Sequence, residues 1–81
     1  MEKICNITKD KMNRIQAIEQ SEKGTATRTI YPSTGFKETI IAYKDGTGFV
    51  LVSLMGKVQH EACRAAKNSE LEGFYHWEPS K

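Results

Sequence analysis

The chain is poor in the residues that build the commonest small-protein frameworks. Its 81 residues hold two cysteines, Cys5 and Cys63. Two thiols so far apart make no disulfide scaffold, and a reducing compartment keeps them free, although a single bridge stays geometrically possible. No stretch approaches the roughly 20 consecutive apolar residues of a membrane span. The opening "MEKICNITKDKMNRI" lacks an apolar run suited to a signal peptide. The expected location is therefore cytoplasmic, with no membrane partner. Charge of one sign is missing too: 12 basic residues face 10 acidic ones, for a net charge of +2. Bulk electrostatics thus give no signature of a nucleic-acid or anionic-membrane binder, and any such role has to come from the distribution of charge.

Three chemistries lack their parts. Cys5, His60, Cys63 and His76 are residues zinc prefers, but only His60 and Cys63 lie close together, and a zinc module needs two tight pairs. No metal or other cofactor is expected. The segment "DGTG" has two glycines without a following Lys-Ser or Lys-Thr, and it joins two strands, so it reads as a turn and not as a phosphate loop. Cys63 with His60 as its base would need an orienting third group and an oxyanion hole. Neither is evident, Glu38 and Asp45 form no acid and base pair, and so short a chain leaves little volume for a substrate cleft. The protein is expected not to be an enzyme.

What is present describes one globular domain over residues 1–81. Hydrophobic residues make up 38% and charged residues 27%, a balance that suits a folded chain and not a disordered one. A chain of this size can fold alone or as a small homo-oligomer. Residues 8–23 carry a possible cap at Thr8, a staple pair in Ile7 and Met12, an apolar stripe of Met12, Ile15 and Ile18, and a stop at Gly24. A helix is expected there, with a hairpin pairing of "NRIQAIEQ" and "ATRTIYP" as the alternative. Residues 25–31 are β-branched and end at Pro32, "PSTG" is turn chemistry, and "FKETIIAY" is the next strand. Asp45-Gly46 is a hairpin signal that delivers the chain into "FVLVSLM", whose nearly continuous apolarity suits a strand covered on both sides.

"GKVQHEACRAAKN", residues 56–68, then reads as a second helix. At helical spacing Val58, Ala62, Ala65 and Ala66 share one face, while Lys57, His60, Arg64 and Lys67 share the other, and Cys63 sits at the edge of the apolar face as a packing residue. "FYHW" is a possible last short strand or an aromatic flap, and Pro79 is expected to end the ordered chain. The resulting order is α-β-β-β-α: an α+β fold with a small antiparallel sheet of three to four strands and two helices packed on one face. That order is similar to the double-stranded-RNA-binding domain over about two-thirds of the chain. The paired lysines of that family are missing at the start of the second helix, since Val58 and Gln59 follow Lys57 and Glu61 interrupts the face.

The function expected by elimination is a non-catalytic binding module, a regulator or inhibitor that engages a protein partner. Tyr43, Tyr75 and Trp77 are its candidate contacts, because aromatic side chains are enriched at interface hot spots. The alternative is a nucleic-acid-binding domain that uses Lys57, His60, Arg64 and Lys67, with Tyr31, Tyr43, Tyr75 and Trp77 available to stack on bases.

Overall fold

In the computed structural model, which describes residues 12–72 and 76–81, the first element among the described residues is a short helix, α1 (Arg14–Gln20). Asn13 caps it, and the expected cap at Thr8 lies outside the described residues. The Asn13 side chain accepts from the Gln16 amide at 2.9 Å, and the Gln16 side chain accepts from the Asn13 amide at 3.1 Å. This reciprocal pair satisfies two of the amide donors that a helix start leaves open. The helix ends at Ser21, whose hydroxyl and amide both donate to the Ile18 carbonyl.

Three strands follow as expected: β1 (Thr25–Ile30), β2 (Phe36–Tyr43) and β3 (Gly48–Leu54). They form an antiparallel meander in which Ala26 lies opposite Ala42, Ile40 opposite Val50, and Thr39 opposite both Thr29 and Leu51. The β2–β3 turn confirms the Asp45-Gly46 signal. Gly46 takes a φ of +95°, a region that glycine enters without steric cost. Asp45 accepts from the Thr47 amide at 2.9 Å and from its hydroxyl at 2.6 Å.

The expected second helix over residues 56–68 is not formed. Met55 and Gly56, at φ of +50° and +87°, make a two-residue turn that returns the chain along the outer edge of β3. There β4 (Lys57–Val58) pairs with Leu54 and Ser53, and β5 (Arg64–Ala65) pairs with Val50 and Phe49. A single 3₁₀ turn (His60–Ala62) takes up the extra residues between them. Helical spacing of the alanines is outweighed by β3, a strand whose outer amides and carbonyls would otherwise be buried or exposed without partners. Gln59 donates to the Val52 carbonyl at 2.8 Å, and the Cys63 thiol accepts from the Val52 amide at 3.4 Å. Cys63 is free and half-buried against the core. It packs as expected, but from a strand edge.

The remaining elements are a one-turn helix, α2 (Asn68–Leu71), and β6 (Glu78–Pro79). Pro79 does not end the ordered chain. It lies opposite Ala26 on the outer side of β1, a sheet margin where proline is tolerated, and Ser80 donates to the Thr25 carbonyl at 3.0 Å. Among the described residues the architecture is thus a small α+β domain with a six-stranded antiparallel sheet in the order β4-β3-β2-β1-β6, β5 also on β3, and two helices. The sheet is larger than the expected three to four strands because both of its margins recruit short segments. Among the described residues, no helix is long and apolar enough to cross a membrane.

Side chains alternate across the sheet, so pairing assigns each to a face. Ala26, Ile40, Ala42, Val50 and Val52 fall on one face and form the core with Met12, Ala17, Leu71 and Trp77. Thr25, Thr27, Thr29, Lys37, Thr39, Ile41, Phe49 and Leu51 fall on the other. None of these joins the core, and all are half-buried or exposed.

Candidate functional site

The residues singled out by sequence do not assemble into one site. Tyr75 lies outside the described residues. Trp77 is 1% exposed and belongs to the core, so the indole is a packing group here and not a surface anchor. Its amide donates to the Met12 carbonyl at 3.0 Å, which ties the C-terminal segment to the start of α1. Tyr43 is exposed at the end of β2, beside a shallow groove of about 620 Å³ that also involves Ile15 and Ile18 of α1.

The four cations also separate. Lys57 stands on β4, His60 on the 3₁₀ turn, Arg64 on β5, and Lys67 just before α2. Without a helix they share no helical face. Arg64 is engaged with Glu70: two of its nitrogens donate to the two carboxylate oxygens at 2.7 Å each, and the Lys67 amide adds a third bond at 2.9 Å. The bidentate Arg64 bonds, helped by that amide and by the positive charges nearby, pull the Glu70 carboxyl down to about 2 against the desolvation that opposes them. Glu70 raises Arg64 in turn.

This pair predicts a pH dependence. The folded-state pKa of Glu70 lies below its ordinary value of 4.5, so its contribution is complete above that value and is lost as the pH falls toward 2. Arg64 is 39% exposed, so solvent screens the pair and its worth is about 1–2 kcal/mol. Thermal melts should place Glu70→Gln below the wild type at pH 6, with the gap closing near pH 2. An equal gap at both values would show that the ion pair contributes nothing.

A different group of residues does come together. Of the five exposed large hydrophobic side chains among the described residues, Tyr31 (71%), Met55 (82%) and Val58 (41%) stand at the same end of the sheet. The Met55 amide donates to the Gly35 carbonyl at 2.8 Å, which docks the β3–β4 turn against the β1–β2 loop. Tyr31 and Val58, with Lys37, Leu51, Ser53 and Thr39, line a shallow groove of about 670 Å³ on the face away from the core. Its lining contains one cation and no carboxylate. Sequence reading noted Tyr31 as an exposed aromatic but missed Met55 and Val58. The signal was "MG": a glycine after one residue at a strand end is half of a tight hairpin turn.

Among the described residues, no three His, Cys, Asp or Glu side chains gather closely enough to hold a metal ion. Compared with known protein families, curated proteins and solved structures, the chain matches none.

Proposed function

We propose that this domain is a non-catalytic protein-binding module, a regulator or inhibitor of a larger partner, and that it engages that partner with the Tyr31, Met55 and Val58 end of its outer sheet face. The observation that carries this reading is that three exposed apolar side chains stand at one end of the sheet, two of them, Tyr31 and Val58, lining one groove. Scattered single apolar residues are ordinary on a surface, whereas a cluster calls for an occupant. Tyrosine and methionine are residue types enriched at interfaces, and the unbranched methionine adapts to the shape it meets.

Backbone strain favours the same place. Met55 occupies the left-handed region at φ +50°, where asparagine or glycine is preferred and a bulky side chain is disfavoured. Strain of this type concentrates at functional positions. Nucleic acid is the weaker reading, since its four candidate residues are spread over four segments and not along one helix, and Arg64 is held by Glu70.

The test is capture of partners from an extract of the native host by the wild type, by Tyr31→Ala and by Met55→Asn. Tyr31→Ala should leave the melting temperature almost unchanged and weaken the captured protein by more than about 2 kcal/mol, the hot-spot scale. Met55→Asn should melt at the same temperature or higher, because asparagine tolerates the left-handed region, and should still bind less. Capture that both variants retain, or that nuclease abolishes, would overturn the proposal.

A further inference from the structure

We infer that the groove takes an extended segment of the protein partner in which a carboxylate residue lies between two apolar ones, in the pattern apolar-x-acid-x-apolar, and that Lys37 selects the acid. The inference rests on the reading of this domain as a protein-binding module and adds the chemistry of its ligand.

Lys37 lies opposite Ser53, and Ser53 lies opposite Val58 on β4. Tyr31 follows directly on the Ile30–Glu38 pair that precedes Lys37 in the ladder. Lys37, Ser53 and Val58 therefore form one row across three neighbouring strands, Tyr31 is the first residue past the end of β1 beside it, and all four line the groove. Adjacent strands are about 4.8 Å apart, so the span from Tyr31 to Val58 is roughly 14 Å. An extended peptide rises about 3.4 Å per residue and turns alternate side chains to one side. Five residues laid across the strands match that length, with the first, third and fifth facing the domain.

The chemistry of this span sets the pattern. Tyr31 and Val58 at its ends are exposed and apolar, and Leu51 in the next row adds to the floor. Lys37 is the only charged residue in the lining, and among the described residues no salt bridge engages it. A groove whose lining holds one lysine and no carboxylate attracts a carboxylate and repels a cation, which gives selectivity more than raw affinity.

The test is selection of a phage-displayed random dodecapeptide library on the intact protein, in parallel on the wild type and on Lys37→Glu. Lys37 is exposed, so its replacement leaves the core untouched. The wild type should enrich peptides with the apolar-x-acid-x-apolar pattern, and Lys37→Glu should enrich a basic residue at the central position. A synthetic peptide taken from the wild-type pool should bind Lys37→Glu at least tenfold more weakly, and the loss should shrink at high salt. Enrichment of the same peptides by both proteins, or of peptides without an acid, would overturn the inference. So would tighter binding of a fluorescein-labelled thymidine 20-mer that Lys37→Glu abolishes, which would assign the groove to nucleic acid. An absence of enriched peptides, with Tyr31-dependent partner capture intact, would also overturn it while leaving the protein-binding reading in place.

Discussion

Replacing Trp77 with alanine is expected to cost about 3–5 kcal/mol, the range for deleting a large aromatic from a packed interior. A chain of this length has a total stability of about 4–12 kcal/mol, so the variant should be partly or wholly unfolded at 37 °C. The reason is position as well as size. Trp77 is 1% exposed among Met12, Ala17, Ala26, Ile40 and the other core side chains. It also precedes β6, the segment that closes the outer edge of β1. Loss of the ring therefore removes core volume and loosens a sheet margin together. Trp77→Phe should behave differently. Among the described residues the buried indole Nε1 has no hydrogen-bond partner, a cost of about 1–3 kcal/mol that phenylalanine relieves while it keeps much of the apolar surface. Urea denaturation followed by circular dichroism would check both variants. The prediction fails if Trp77→Ala unfolds at the wild-type midpoint, since the side chain would then carry no packing.

A second large loss is expected at Gly48, where the absence of a side chain lets two parts of the core meet. A Cβ at this position would lie 2.7 Å from Leu71 Cδ2, 2.8 Å from the Ile41 carbonyl oxygen and 3.1 Å from Ala66 Cβ. The leucine end is flexible, but the carbonyl belongs to the backbone of β2 and gives way only if the β2–β3 pairing shifts. Gly48→Ala should cost about 1–3 kcal/mol, the usual scale of overpacking, and Gly48→Val more. A double-mutant cycle separates the two contacts. Combining Gly48→Ala with Leu71→Ala should lose less than the sum of the single changes, because shortening Leu71 removes one clash. Full recovery is not expected, since the carbonyl contact remains. Strict additivity in melts of the four proteins would show that Leu71 does not limit the space at Gly48.

Local patterns in the chain carried the central meander and the first helix. Alternation and β-branching in 25–31, the turn residues of "PSTG", and the Asp45-Gly46 hairpin signal depend on contacts within a few positions, and all three are realised. The cap of α1 at Asn13, closed by Gln16, was not read from the sequence, which took Thr8 as the cap and Ile7 with Met12 as the staple. In "FVLVSLM" the near-continuous apolar run announced a strand, but only the face of Val50 and Val52 is buried, while Phe49 and Leu51 on the other face stay half-buried. The run did not say that "GKVQHEACRAAKN" would be the neighbour.

That choice belongs to tertiary structure. Val58, Ala62, Ala65 and Ala66 satisfy a helical wheel, and nothing within the segment argues against it. What decides is the outer edge of β3, whose peptide groups gain partners when Lys57–Val58 and Arg64–Ala65 extend along it. Propensity differences of a few tenths of a kcal/mol per residue are smaller than the cost of leaving such an edge unpaired. The same global step dispersed Lys57, His60, Arg64 and Lys67, drew Trp77 inward, and set Tyr31 and Val58 along one groove. Sequence by itself determined the fold class and the order of the three long strands, because those rest on local periodicity and turn chemistry. The margins of the sheet, the content of the core and the place of the candidate site were decided only when distant segments paired, since edge hydrogen bonds and burial have no local signature.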